Sequence, residues 1–366
     1  MRTGAVGAVV LSSVCVGLSA RADALIRNYD VSNVVVEAGQ AMTLTGPIHA
    51  EWAAVGFEKT GGGTLTMSPN VTDAGNAIDL RVREGRVVLN DTAAAAVAEE
   101  EPTALMNRAT LWLDAAKNVV PNEAQTGVAT WHDVRETAGE DGTLSITRHY
   151  AYAGATRKVS GSDPVAAVPP VLSNDVAGAG LPMMYFNGPK TGSWMGFRNK
   201  NDAGDSFSTI RHVFAVIKVE SSYGFVLGSS GNVFVHPANT SGALGDRYIS
   251  YCAAHPTLAQ STFYLNGERI NPFSETVRTG VQLIEIQSPR DCTGSAIAYF
   301  FNDRNIANRY GGDFIGEVLI YNGTKDLNPD ERLQVGRWLM QKWGITPAKG
   351  ALNVKTAVGS ELEVGA

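Results

Sequence analysis

Apolar and polar residues alternate in short runs along most of the chain. In "TLTM" at 64–67 and in the opening "LRVR" of "LRVREGRVVL" at 80–89 apolar and polar residues alternate, the period of a strand with one buried face. Between residues 33 and 90 such runs are separated by glycine turns. Gly61, Gly62 and Gly63 supply the positive φ angles that a tight turn needs. "DTAAAAVAEEEPTA" at 91–104 breaks the alternation and reads as a linker. From 105 to 347 short strand patterns return at regular spacing, among them "LWLDA", "GVATWHD", "HVFAVIKV", "FYLNGE", "VQLIEIQ" and "GEVLIYNG". They predict an antiparallel β-sandwich, with Asn266-Gly267 as a two-residue hairpin turn.

After "GEVLIYNG" the pattern becomes helical. Asn328 suits an N-cap, Pro329 the first helical position, and Asp330 and Glu331 the positive end of the helix dipole. Leu333, Val335, Trp338, Leu339 and Lys342 are assigned to its inward face; Gly336, Arg337, Met340 and Trp343 fit that stripe poorly, and Gly344 stops the helix.

Composition adds bounds. The 366 residues are 44% hydrophobic and carry a net charge of -6, enough for one large domain and a smaller one. Without a run of Lys or Arg, no electrostatic footprint points to nucleic acid or an anionic membrane. Arg2, the apolar stretch from Ala5 to Leu18 and Ala20-Arg21-Ala22 follow the order of a secretory signal, which predicts a secreted or cell-surface protein. No later stretch is long and apolar enough for a transmembrane helix. Removal of the signal leaves Cys252 and Cys292, which export permits to form a disulfide; two buried free thiols fit the sequence equally.

Catalytic patterns are missing from the sequence. A glycan hydrolase needs two carboxylates flanking the scissile bond, and "IEIQ" offers Glu285 but only Gln287 two positions on. The six histidines are scattered, the serines lie in no G-x-S-x-G elbow, and the glycine run lacks the Lys-Ser/Thr of a phosphate loop. Calcium is the one cofactor the sequence suggests: "NKNDAGDS" sets Asp202 and Asp205 on one loop as metal ligands, although Asn and Asp also favour turns with no metal. Trp194 in "GSWMGFRN", with Arg198 and Asn199, is the candidate ligand platform; a core role for Trp194 fits equally well.

Two stretches resemble known families. Lys59-Thr60-Gly61, Gly63-Thr64-Leu65-Thr66 and the later "REGRVVLN" resemble the autotransporter-associated β-strand repeat of bacterial surface proteins, whose units stack into a parallel β-helix. One clear copy is present, and "LNVKTAVGSELEV" at 352–364 reads as the start of another. Gly312, Ile315, Glu317, Val318, Ile320 and Tyr321, then Leu327, Glu331, Arg332, Lys342, Trp343 and Gly344, resemble the closing strand and helix of laminin-G-like, concanavalin A-like jelly rolls. "LWLDA" at 111–115, Trp131 with Asp133, and "YFNG" at 185–188 fit the same family. The residue patterns and the resemblances together give an expected all-β chain: a signal peptide (1–22), a repeat segment (25–90), a linker (91–104), a jelly roll with a short C-terminal helix (105–347) and a repeat-like tail (348–366). The resemblance to jelly rolls implies non-catalytic recognition of a glycan or cell-surface ligand. The alternatives are a structural or adhesive surface protein, and a hydrolase with carboxylates from distant strands.

Overall fold

Parallel stacking organises the repeat segment. The computed structural model describes residues 24–26, 32–44, 48–50, 55–67, 78–89, 100–140, 143–153, 156–157, 165–166, 168–174, 176–187, 193–201, 204–205, 210–220, 227–228, 261–278, 280–288, 300–301, 313–323, 326–346 and 352–364. The chain divides into two compact units. One comprises residues 1–98, 267–269 and 347–366, and the other 99–266 and 270–346.

In the first unit β1 (Ala24–Ile26) pairs in parallel with β4 (Ile48–Ala50). Among the described residues four rungs follow, each of two strands joined by a corner: β2 (Ser32–Val35) with β3 (Ala41–Leu44), β5 (Val55–Thr60) with β6 (Thr64–Met67), β7 (Ile78–Val82) with β8 (Arg86–Leu89), and β26 (Leu352–Thr356) with β27 (Glu361–Val364). They form two all-parallel sheets, β2-β5-β7-β26 and β3-β6-β8-β27. The tail therefore adds a rung to the stack that the sequence shows as one copy and a remnant. Leu65, Leu80, Val82 and Val87 are buried between the sheets, each contributing about 1.5–3 kcal/mol. Lys59 is buried with them, and its ammonium donates to the carbonyls of Gly61 and of Glu84, the latter at 2.8 Å. At the corner of the third rung Gly85 has φ +71°, and a Cβ there would lie 2.5 Å from the Gly63 carbonyl oxygen.

Two large, antiparallel sheets follow, which apart from residues 267–269 lie in the second unit. One runs β15 (Val171–Ser173), β16 (Met183–Tyr185), β25 (Phe314–Asn322), β19 (Ile210–Lys218), β23 (Val281–Gln287), β21 (Thr262–Leu265) and β22 (Glu268–Ile270), with β9 (Leu111–Asp114) also on β25. Asn266 and Gly267, with φ of 51° and 84°, make the hairpin between β21 and β22. The other runs β10 (Val119–Pro121), β11 (Val128–His132), β12 (Tyr150–Tyr152), β17 (Met195–Arg198), β24 (Phe300–Phe301) and β20 (Leu227–Gly228), with β18 (Gly204–Asp205) on β17. A separate pair joins β13 (Thr156–Arg157) to β14 (Val165–Ala166).

One core fills the space between the two large sheets, where Trp131, Met195 and Phe197 meet Val213, Ile284, Val318 and Ile320. A second core lies on the opposite face of the larger sheet. There Trp112, Phe214, Leu283, Leu319 and Tyr321 pack against Met106 of α1 (Thr103–Met106) and against α2 (Pro329–Lys342). Helix α2 begins as its sequence requires: Asn328 Oδ1 accepts from the Glu331 N–H at 3.0 Å and Glu331 Oε2 accepts from the Asn328 N–H at 2.9 Å, a reciprocal capping box. Its inward face differs from the expectation. Gly336, Met340 and Trp343 are buried along with Leu333, Val335 and Leu339, because the helix sinks far enough for two of its charged residues to reach buried carboxylates.

Candidate functional site

Because Trp131, Ala151, Met195 and Phe197 point into the core, the alternate residues of β11, β12 and β17 lie on the outer face of the smaller sheet. Register places His132 opposite Tyr150 and Tyr150 opposite Arg198; beside this row Thr130 lies opposite Tyr152, and Tyr152 opposite Gly196. The His132 and Tyr150 rings stack with centroids 4.8 Å apart. The Tyr152 ring meets Trp194 edge-on at 6.2 Å, and the Arg198 guanidinium lies 4.1 Å from the Tyr152 centroid, a cation–π contact. His132, Tyr150 and Trp194 are buried, whereas Thr130, Tyr152, Arg198 and Asn199 are half-buried and form the accessible part of the face.

Burial lowers the pKa of His132, and the nearby Glu136 carboxylate only partly offsets this, so the ring is neutral at neutral pH. Its Nε2 shares a 2.8 Å hydrogen bond with Thr130 Oγ1. The face thus offers an aromatic ring, a hydroxyl and a fixed cation within two cross-strand rows. That combination suits a polar ligand with an apolar face.

The sequence leaves Trp194 equally suited to an exposed platform and to the core; its indole is only 5% exposed and supports the edge of Tyr152. Arg198 does reach the face, over Tyr152 and not over Trp194. Asn199 closes a local turn, its Oδ1 accepting from the Asn201 N–H at 2.9 Å. The backbone of Asp205 lies in β18 opposite Phe197, while its side chain, Asp202, Cys252 and Cys292 lie outside the described residues. Among the described residues no three His, Cys, Asp or Glu side chains group as a metal site. Tyr152 and Thr130 were missed by sequence reasoning. Alternation in "YAY" hints at them, but only the pairing of β12 with β17 brings Tyr152 beside Arg198.

A second constellation lies beneath α2. Asp114 and Glu317 are cross-strand partners on β9 and β25, both fully buried. Lys342 Nζ donates to Asp114 Oδ2 and to Glu317 Oε2, each at 2.6 Å. The indole N–H groups of Trp112 and Trp343 donate to the two Glu317 oxygens, each at 2.8 Å. The pairing of β25 with β19 shifts register at Gly316, leaving that residue unpaired. A Cβ on Gly316 would lie 2.6 Å from Trp343 Cη2, so this glycine is what admits the indole. Burial and the Asp114 charge push the Glu317 pKa up, while the two carboxylates raise that of Lys342 against its own desolvation. Close by, Arg332 pairs with Glu285 at 2.8 Å, both nearly inaccessible, and lies 3.9 Å over the Tyr264 ring. The motif residues Trp112, Asp114, Glu317, Arg332, Lys342 and Trp343 thus converge on one buried polar layer.

No family model, curated protein or solved structure matches this chain.

Proposed function

We propose that this is an exported, non-catalytic binding protein whose second unit is a concanavalin A-like jelly roll that recognises a glycan or a cell-surface ligand. The observation that carries this reading is the half-exposed Tyr152 ring, braced by Trp194 and carrying the Arg198 guanidinium beside the Thr130 hydroxyl. Sugars present apolar C–H faces and hydroxyls together, and an aromatic ring with adjoining polar groups answers both. Support for a binding rather than a catalytic role comes from the carboxylates. Asp114, Asp133, Glu285 and Glu317 are buried and engaged with Lys342, Arg135 or Arg332. Export rests on the order of charge, apolar stretch and small residues at the N-terminus.

A second reading, a structural or adhesive surface protein, is favoured by the parallel stack, whose outermost strands β2, β3, β26 and β27 each pair on one side only among the described residues. Binding of the protein to a polysaccharide and glycan panel, in calcium and then in chelator, separates the two. The binding reading expects saturable binding that Tyr152→Ala or Arg198→Ala weakens about tenfold, the equivalent of about 1.4 kcal/mol. Chelator sensitivity would add a calcium ion to the site. Absence of binding across the panel would favour the structural reading.

A further inference from the structure

We propose that Lys342 and Asp114 form an intramolecular isopeptide bond, with Glu317 as the catalytic residue that relays the protons. The geometry contains each part such a condensation requires. The nucleophile is in place, since Lys342 Nζ contacts the Asp114 carboxyl group at 2.6 Å and needs no further movement of α2 to reach it. A proton carrier touches the same nitrogen, Glu317 Oε2 at 2.6 Å. An oxyanion donor is present too: the Ala116 N–H is held 2.8 Å from Asp114 Oδ1, where charge develops when the nitrogen adds to the carboxyl carbon. The setting is dry. Both carboxylates are fully buried, and the Lys342 ammonium lies 4.9 Å from the Trp338 ring centroid and 5.9 Å from that of Trp343.

Two buried carboxylates share one ammonium, so the cluster carries one net negative charge, which condensation leaves on Glu317, held by the indole N–H groups of Trp112 and Trp343. The raised Lys342 pKa holds the nitrogen as the ammonium at rest, so addition begins with proton transfer to Glu317, whose own pKa burial and the Asp114 charge push up. The amine then adds to Asp114 Cγ, forming the C–N bond. The Cγ–Oδ2 bond breaks as Glu317 protonates the departing oxygen. Both protons lost by Lys342 leave on that oxygen as one water molecule, Glu317 is restored, and no oxidant or activated donor is consumed. Glu317 is assigned the relay and not the acceptor because both its oxygens are already held by indole N–H donors, which fix the carboxyl group in place. The bond would tie β9 to the last turn of α2, near the two sequence ends of the second unit. A pulling force on those ends would then bypass the strands between them.

Peptide mapping of the full chain by mass spectrometry under denaturing conditions tests this. The expected result is one branched peptide that joins the Asp114 and Lys342 segments, lighter than their sum by one water. Asp114→Asn should still cross-link, losing ammonia in place of water, and Asp114→Ala or Glu317→Gln should leave the two peptides separate. Folded wild-type protein that yields both peptides at full mass overturns the proposal, and so does a branch that maps to Glu317. The wild-type map decides even if a variant fails to fold.

Discussion

His212 lies fully buried in β19, stacked on Phe214 with centroids 4.6 Å apart, and neither ring nitrogen has a hydrogen-bond partner among the described residues. Burial, with a smaller contribution from the Arg332 charge, lowers its pKa to about 3. The folded-state pKa is depressed below the unfolded value near 6.5, so the unfolded chain binds the extra proton between the two. The group's contribution is therefore fully present above about pH 6.5 and is lost by about 1.4 kcal/mol per unit as pH falls toward 3. His212→Leu removes this term. Urea unfolding of both proteins at about pH 7.5 and again at about pH 5 should show the variant gaining about 2 kcal/mol relative to wild type. An unchanged difference would mean that the imidazole is protonated inside the fold. Nothing in "RHVFAVIK" marks this histidine, because alternation shows which residues share a face but not that an entire helix covers it.

Helix α2 shows what the sequence could and could not convey about an element. Its boundaries were legible, since Asn328, Pro329, Glu331 and Gly344 act locally and their chemistry does not depend on what the helix packs against. Its inward face was not. Arg332 looks solvent-facing until Glu285 on β23 is placed beneath it, and Trp343 fits only because β25 bulges at Gly316. Arg332→Met should cost about 3–5 kcal/mol in chemical denaturation, because Glu285 is left charged and buried without its partner. Adding Glu285→Leu should recover most of that loss, since an apolar pair replaces an ionic one in the same space. If the double variant is no more stable than the single one, the pair specifies how α2 seats beyond its charge balance. On the other sheet the limit was of the same kind. Arg198 was picked out by its neighbours in sequence, whereas Tyr152 joins it through cross-strand register alone.

At the scale of the whole molecule, the fourth rung is the feature least visible in the sequence. Rung three ends at Leu89 and rung four begins at Leu352, so the repeat reads as one copy and a distant remnant. Glycine corners and alternation identify each rung as strands, but a single rung cannot bury its own face, and stacking depends on contacts far apart in the chain. The whole second unit is thus an insertion between two successive rungs of one parallel stack. Closing so long a loop adds only a slowly growing entropic cost, about 0.6 kcal/mol for each doubling of its length. The backbone ladders from Leu352 to Thr356 and from Glu361 to Val364, together with the exposed ion pairs of Arg86 with Glu361 and Glu363, offset that cost. Of these the ladders matter more, because exposed ion pairs contribute at most about 1 kcal/mol each. Removing residues 348–366 should therefore strip β7 and β8 of a neighbour on each sheet and leave two parallel edges open. Amide hydrogen exchange should accelerate across residues 78–89, and the truncated protein should self-associate more readily than the full chain. Within the second unit the antiparallel strands β19, β23 and β25 should keep their protection, since none of them pairs with the deleted rung. Unaltered exchange at 78–89 would mean that the tail does not stack on the third rung, and the solenoid would then end at β8.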